Sequence, residues 1–360
     1  MPFPTQRFNG EQSSNMKILI TGTEGYLGSL LAPYLMDRGH MVTGVDTGFY
    51  KTGCLYHATG NTPATIVKDI RRLTLDDLRG HDVVVHMAEL SNDPLGELDP
   101  NITYEINHKG TLHLADTAKA AGVKRFIYMS SCSVYGVATN GDVTEENKPN
   151  PQTAYAICKT LCERDLRPLA DNHFAVCYFR NATAFGASPR QRFDLVLNNL
   201  CGLAWTTKEI KMVSDGTPWR PIVHGLDIAK AILCAIEAPT DAIHNEVFNI
   251  GSTGQNYRVR EIAEKVGGAF TDARISFGTQ GADNRSYRVN FDKVRKHLPG
   301  FECDWDASKG VRQFHDLFKQ IELTKDQFEH RAFTRLKQLQ YLIRTGQIDK
   351  DFFWKAPAPF

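Results

Sequence analysis

Three clusters of residues in this chain have the types and spacing for chemistry. Tyr155 and Lys159, in Tyr155-Ala156-Ile157-Cys158-Lys159, put a phenol and an ammonium one turn apart on the same face of a predicted helix. A fixed cation beside a phenol favours its phenolate, which could shuttle a proton near neutral pH. Upstream, the apolar run Arg125–Met129 ends in Ser130-Ser131-Cys132-Ser133-Val134-Tyr135-Gly136, where a serine hydroxyl could hydrogen-bond the reacting oxygen beside Tyr155. The third cluster is a glycine turn, Gly22-Thr23-Glu24-Gly25-Tyr26-Leu27-Gly28, between a short apolar run and a helical stretch. Glycines there let the backbone turn sharply and approach a diphosphate, and the helix N-terminus offers it free N–H groups and partial positive charge.

None of these signals is specific alone, because Tyr-x-x-x-Lys pairs and glycine turns are common. Their order along the chain gives them weight. The glycine turn follows the first predicted strand, and Asp46 closes the next strand 18 residues past Gly28. A carboxylate there can accept both ribose hydroxyls of a dinucleotide and would repel a 2′-phosphate. No Arg follows it immediately, so the expected cofactor is NAD.

The elements that must position these groups alternate from Met16 onward. Apolar strands are expected at Lys17–Thr21, Met41–Asp46, Thr65–Lys68, Asp82–Met87, Arg125–Met129 and Phe174–Arg180. Helical patterns lie between them: Tyr26–Arg38, with Pro33 inside it, Tyr104–Ala121 and Ala154–Leu169. Strands apolar throughout suit a sheet covered on both faces, and strand–helix repetition predicts an α/β fold, a Rossmann-like doubly wound parallel sheet. After Gly186 the pattern loosens, with a helix expected at Phe193–Trp205, a strand at Glu209–Val213 and a return to the sheet at Val247–Ile250. The expected organisation is a disordered leader (1–15), an NAD-binding Rossmann domain (16–186), a smaller C-terminal lobe for substrate (187–323, with segments returning to the sheet) and a helical extension (324–360). Within that extension one amphipathic helix, Thr324–Thr345, carries Phe328, Leu336, Leu339 and Ile343 on one side and is expected to pack down.

Composition bounds the function. Of the 360 residues, 42% are hydrophobic and 23% charged, which is globular, and a net charge of +1 gives no reason to seek nucleic acid or an anionic membrane. No apolar run approaches the ~18 residues of a membrane span. The leader lacks the apolar core of a secretion signal, and Met16 offers an alternative start. The eight cysteines form no C-x-x-C pair. Cys158 and Cys162 could share a metal across one helix face, but no His or second Cys pair lies nearby. Buried free thiols, no metal and a reducing cytoplasm are expected.

Taken together, the chain from Met16 to Asp306 resembles an extended short-chain dehydrogenase/reductase, of the branch acting on nucleotide-diphosphate sugars. The matching stretches are TGTEGYLG, Asp46, Asp69-Ile70, HMAEL at 86–90, Asn107, SSCSVYG, YAICK and SDGTPWRPIVHGLDIAKA at 214–231. The resemblance implies that Gly22, Gly25, Tyr26, Leu27 and Gly28 hold the cofactor diphosphate, Asp46 the adenosine ribose, and Asp69 with Ile70 the adenine. It implies that Met87, Ala88 and Glu89 line the cofactor, with Asn107 supporting the active-site helix. Ser131, Tyr155 and Lys159 become the catalytic set, Lys159 also holding the nicotinamide ribose. Arg220 would pair with the sugar nucleotide's diphosphate, for which a planar fork is suited. Two copies are expected to pair through the helices Tyr104–Ala121 and Ala154–Leu169, giving a homodimer.

Departures from the family pattern narrow the reaction. Related 4,6-dehydratases carry Asp-Glu after the catalytic serine, and related decarboxylases keep a Glu. This chain has Cys132-Ser133, neither a strong acid or base, which disfavours both reactions. In 3,5-epimerising relatives a Cys stands where Ser133 is, so Cys132 is one position early. Thr183 replaces a usual substrate-contacting Asn, with Asn181 able to compensate. Ser188–Arg192 and Asn198-Asn199 could clamp the nucleotide. A familiar Arg is Gln280 here, leaving Arg285 or Arg288 to replace it. The expected substrate contacts are thus Ser131, Cys132, Ser133, Asn181, Thr183, Asn199, Arg220 and Arg285. The expected activity is epimerisation of a nucleotide-diphosphate sugar, at carbon 4, through a transient keto-sugar. Net dehydrogenation or 4-ketoreduction uses the same residues and stays open. An NAD sensor without turnover would be expected to lose Tyr155 or Lys159, and both are present. An apolar alcohol as substrate would give Arg220 no partner.

Overall fold

The computed structural model describes residues 15–58, 60–137, 141–212, 214–279 and 286–358. The expected leader, apart from Asn15, and Arg285 with its neighbours Gln280 and Asp283 lie outside these residues.

Strands β1 (Lys17–Thr21), β2 (Met41–Asp46), β3 (Ala64–Val67), β4 (Val83–His86), β5 (Arg125–Ser131) and β6 (Ala175–Asn181) form most of one sheet. Two strands of a smaller sheet follow, β7 (Thr183–Phe185) and β8 (Trp219–His224), before β9 (Val247–Ile250) returns to the large one. The small sheet is completed by β10 (Asn256–Arg258). The seven-stranded sheet has the order β9-β6-β5-β4-β1-β2-β3 and is parallel at every pairing. Its strands are apolar on both faces because both are covered: Ile18, Leu19 and Ile20 are fully buried on β1, and β4 is buried throughout. The chain winds outward from β1 to β3, then from β4 toward β9. The connection therefore reverses between β1 and β4, and the carboxyl ends of the strands there open a crevice suited to a ligand. Thr21, Asp46, His86 and Ser131 all end strands at that edge, so the sheet brings the glycine turn, the ribose carboxylate and the serine to one rim.

Helices α1 (Gly28–Met36), α2 (Gly110–Ala120), α3 (Ala154–Leu166), α4 (Val196–Thr207), α5 (Gly225–Glu237), α6 (Val259–Ala269) and α7 (Ala307–Ile321) cover the sheet and build the second lobe. Two more, α8 (Lys325–Glu329) and α9 (Arg335–Arg344), belong to the extension. The lobe core gathers α4, α6 and α7 around Phe193, Phe314 and Phe318.

Two expected helices differ in form. The stretch expected as one helix from Tyr104 to Ala121 begins earlier, at Pro100, and passes through a wider π-helical segment, Tyr104–Lys109, before α2. The expected single helix Thr324–Thr345 is broken between α8 and α9. His330 is extended, and Phe333 turns into the lobe core against Phe193, with ring centroids 5.7 Å apart. Phe328 and Leu339 are buried in two different cores, while Ile343 stays exposed. Tertiary packing thus overrides a continuous 3.6-residue period.

Candidate active site

A cleft of about 810 Å³ runs along the carboxyl edge of the sheet, and the glycine turn, Asp46, Ser131, Tyr155, Lys159 and Arg220 all line it. At one end, Gly22 has φ +83°, and Gly28 packs so tightly that a Cβ would lie 2.1 Å from the Gly22 carbonyl oxygen. No side chain caps the N-terminus of α1, and Leu27 and Gly28 at that end line the cleft. Asp46 accepts from the Gly48 amide at 2.7 Å and the Glu24 amide at 3.0 Å, which fixes the carboxylate against the turn. Burial pushes its pKa up, and those two amides oppose the shift. This cradle, with Asp69 and Ile70 on its wall, fits the adenosine and diphosphate of NAD. Asp69 is also fixed, forming a two-point ion pair with Arg71.

At the other end, α3 is anchored before Tyr155. The Thr153 hydroxyl accepts the Ala156 amide and donates to Asp93, and Glu97 accepts the Ala154 amide at 2.8 Å. Ser131, the last residue of β5, caps the next turn by accepting the Ser133 amide at 3.1 Å. Its hydroxyl is among the groups that draw the Tyr155 pKa down, and both side chains line the cleft. Lys159 is buried, donates to the Met129 carbonyl oxygen, and sits 5.5 Å from the Tyr155 ring centroid.

The sequence did not anticipate the partner of Lys159. Glu89 was expected only to line the cofactor, and it does line the cleft. Its carboxylate also lies 2.5 Å from the Lys159 ammonium and accepts from the Tyr128 hydroxyl at 2.8 Å. Both side chains are almost wholly buried, 5% exposed for Lys159 and 2% for Glu89. Burial works against the charge on Lys159, and Glu89 with Tyr155 outweighs it, leaving the lysine pKa above its ordinary value. The phenol feels the consequence. Burial raises the pKa of Tyr155, Lys159 lowers it, and Glu89 raises it again, with a net upward shift. Lys159 thus pulls the phenol toward phenolate, as expected from their spacing, but burial foremost, with Glu89 beside the ammonium, outweighs it.

Other expected contacts divide by placement. Tyr26, Leu27, Met87, Ala88 and Ser133 line the cleft, as do Asn181, Thr183 and Asn199. Asn181 and Asn199 spend their amide N–H groups on backbone carbonyls, Asn181 toward Ser130 and Phe179 and Asn199 toward Phe193. Asn107 does not line the cleft. Both ends of its side-chain amide bond the Leu90 backbone, and its backbone carbonyl accepts from Cys162 on α3, so it braces the 86–90 loop against that helix. Cys132 is corrected as a substrate contact: its thiol is buried in the sheet core and donates to the Arg180 carbonyl at 3.2 Å. Ser131 and Ser133 line the cleft, and Cys132, in the turn between them, does not. Arg288, the other candidate near Arg285, pairs with Asp142 and does not line the cleft. Cys158 and Cys162 are buried thiols donating to backbone carbonyls.

Two cleft arginines extend the expected set. Arg192, already suspected as part of a nucleotide clamp, makes a two-point bond to Asp194 at 2.9 and 3.0 Å. Arg335 enters from the C-terminal extension, far from any motif, together with Thr334 and Leu336. Only the apolar spacing of Phe328, Leu336, Leu339 and Ile343 signalled that this segment would pack.

An α/β enzyme with a dinucleotide cradle and a Ser-Tyr-Lys set is what fold and site define. Residues 18–251 match the NAD dependent epimerase/dehydratase family, and the chain belongs to that family of NAD-dependent enzymes. Among its relatives is a UDP-glucose 4-epimerase of Mycolicibacterium smegmatis, 30% identical over 84% of this chain and 99% of the relative. A UDP-glucose 4-epimerase of Bacillus subtilis is 26% identical over 83% of this chain and 94% of its own length. A UDP-N-acetyl-alpha-D-glucosaminuronate decarboxylase of Bacillus cytotoxicus is 28% identical over 83% and 92%. Among solved structures, the UDP-glucose 4-epimerase of Thermotoga maritima with UDP-glucose superposes with a TM-score of 0.73 at 22% identity, covering 86% of this chain and 100% of that one. Among the described residues no helix is long and apolar enough to cross a membrane.

Proposed function

We propose that this enzyme epimerises a nucleotide-diphosphate sugar at carbon 4 through a transient keto-sugar. The observation that carries the reading is the convergence of Ser131, Tyr155 and Lys159 on the cleft that also holds the glycine turn and Asp46. Bound NAD supplies a reversible hydride acceptor. Tyr155 removes the proton from the sugar hydroxyl while Ser131 holds the oxygen, and Tyr155 returns the proton when the sugar is reduced on its other face. Lys159 steadies the phenolate electrostatically and holds the nicotinamide ribose. Arg220 on β8, in the same cleft, takes the substrate diphosphate. Two observations count against dehydration and decarboxylation: Cys132 is packed away from the cleft, and Ser133 brings only a hydroxyl. Relatives named as 4-epimerases agree with the reading.

The proposal includes a homodimer paired through α2 and α3 and their preceding turn. On α3, Ile157 and Leu161 keep part of their apolar surface exposed, and a second copy would cover them. Light scattering on the purified protein tests this, a monomer mass contradicting it. For the activity, the protein is incubated with UDP-, dTDP-, GDP- and CDP-sugars and the products are resolved by mass and NMR. An isomer of unchanged mass is expected, and Tyr155→Phe should nearly abolish its formation. Turnover surviving that substitution would sink the catalytic assignment.

A further inference from the structure

The C-terminal extension is built onto the dinucleotide end of the cleft. The Gln338 amide donates to the Phe49 carbonyl at 3.0 Å, and the Trp354 indole donates to the Thr47 carbonyl at 2.7 Å. Both acceptors lie in the loop directly after Asp46. On the adenine side, Arg71, which pairs with Asp69, donates to the Asp351 carbonyl at 2.8 Å. The guanidinium carbons of Arg71 and Arg72 lie 4.0 and 3.6 Å from the Phe353 ring centroid. The family match ends at residue 251, so this wall lies outside it.

Arg335 is the charged group that this wall delivers. It is 3% exposed, lines the cleft, and lies with its guanidinium carbon 4.3 Å from the Tyr50 ring centroid. Its hydrogen bonds go only to carbonyls, Ala332 at 3.2 Å and Arg190 at 3.0 Å. Among the described residues, no carboxylate comes within salt-bridge distance of it. Asp46 and Asp194 act on it from farther away, Asp194 being already engaged by the fork of Arg192. Burial foremost, with repulsion from Arg192, pushes the Arg335 pKa down to about 10. A buried cation left with carbonyl partners is costly unless an anion completes it. Its position indicates which anion. Arg190, whose carbonyl it holds, ties its own guanidinium to Glu24 of the glycine turn at 2.7 Å, and Tyr50 belongs to the loop after Asp46. Arg335 therefore lies at the dinucleotide end of the cleft, beside the loop after Asp46 and linked through Arg190 to Glu24 of the glycine turn.

We infer that Arg335 is a ligand for the diphosphate of NAD, and that the extension is a fixed wall retaining the cofactor through turnover. This rests on reading the cleft as the NAD site. A planar fork suits paired phosphate oxygens, and low water access strengthens each charge-assisted bond. The diphosphate of a sugar nucleotide shares this chemistry, so the test must separate the two.

Full-length protein and Arg335→Met, both freed of nucleotide, are titrated calorimetrically with NAD, NADP and UDP, and their melting is followed with and without NAD. The expected result is a Kd for NAD raised about 10- to 100-fold, the range for a lost charge-assisted hydrogen bond, with UDP affinity unchanged. Apo melting should hold, because the substitution removes a buried charge together with its two carbonyl bonds, while the NAD-induced rise in melting temperature shrinks. Arg335→Lys, which keeps the charge and loses the fork, should fall between. Unchanged NAD affinity with a lowered apo melting temperature would make Arg335 a structural residue and overturn the inference. A loss confined to UDP would assign it to the substrate, and a loss confined to NADP would assign it to a 2′-phosphate; either overturns it. Failure of the parent protein to bind NAD would instead refute the reading of the cleft.

Discussion

Replacing Glu89 by Gln tests the electrostatics on which the proposed base depends. The carboxylate lies 2.5 Å from the Lys159 ammonium, which is itself 5.5 Å from the Tyr155 ring centroid, so Glu89 is at most about 8 Å from the phenol ring. A unit charge at that distance contributes about 2 kcal/mol at an effective dielectric of about 20. That corresponds to about 1.5 pH units in the phenol pKa. Glutamine keeps the volume and an acceptor for the Tyr128 hydroxyl, and the Met129 carbonyl still holds the ammonium. Removing the negative charge therefore leaves Lys159 uncompensated and lowers the Tyr155 pKa. Activity that rises with pH as the phenolate forms should rise earlier in the variant. The assay is kcat/KM for sugar-nucleotide conversion between about pH 6 and pH 10, read as the position of the rising limb. A limb that stays in place, or moves to higher pH, would refute the reasoning. The first would mean that Glu89 is not coupled to the base, the second that Lys159 has lost its proton.

Three further outcomes follow from the packing. Gly28→Ala puts a Cβ 2.1 Å from the Gly22 oxygen and 2.6 Å from the Thr23 Cα, and since both are backbone the turn must open; mass spectrometry should find NAD lost from the purified variant. Glu163→Ala strands Arg180, its partner at 2.6 Å in a pair only 5% and 7% exposed, and should cost about 3–5 kcal/mol in urea unfolding. Burial raises Asp227 to about 7, although it accepts the Asp304 and Trp305 amides. The folded protein then holds that proton where the unfolded chain releases it. Between about pH 4 and 7 Asp227 therefore lowers stability as pH rises, by up to about 1.4 kcal/mol per unit. Asp227→Asn should gain on the parent across that window, measured by unfolding at each pH, and a constant difference would contradict the assignment.

The parts of the fold that repeat a local rule were legible in the sequence. Apolar runs ending in Thr21, Asp46 and Ser131 gave the strands to within a residue or two, and because parallel strands share a carboxyl edge, the clustering of their end residues followed. Tyr155 and Lys159 were legible for the same reason, a helix face being fixed by spacing. What depended on distant partners was not. Glu89 reads as a cofactor-lining position, but its ion pair exists only because α3 brings Lys159 against the loop after β4. The π-helical segment at Tyr104–Lys109 has no composition signal; the bonds from Asn107 to Leu90 and from Cys162 to the Asn107 carbonyl are tertiary. Arg335 reads locally as one more surface arginine at a helix start, and what holds it on the cleft, the Arg190 carbonyl and the Tyr50 ring, is distant in sequence. Cys132 shows the reverse case, a reactive residue type beside the catalytic serine whose strand-end geometry turns it into the core.

The central claim is tested most directly by supplying UDP-glucose deuterated at carbon 4, with the wider sugar-nucleotide panel labelled likewise, and following mass and NMR together. The account predicts a 4-epimer of unchanged mass, the label kept on carbon 4, and no net consumption of NAD. A product three daltons lighter than the labelled isomer, its deuterium transferred to added NAD, or one that has lost water or carbon dioxide, would contradict it.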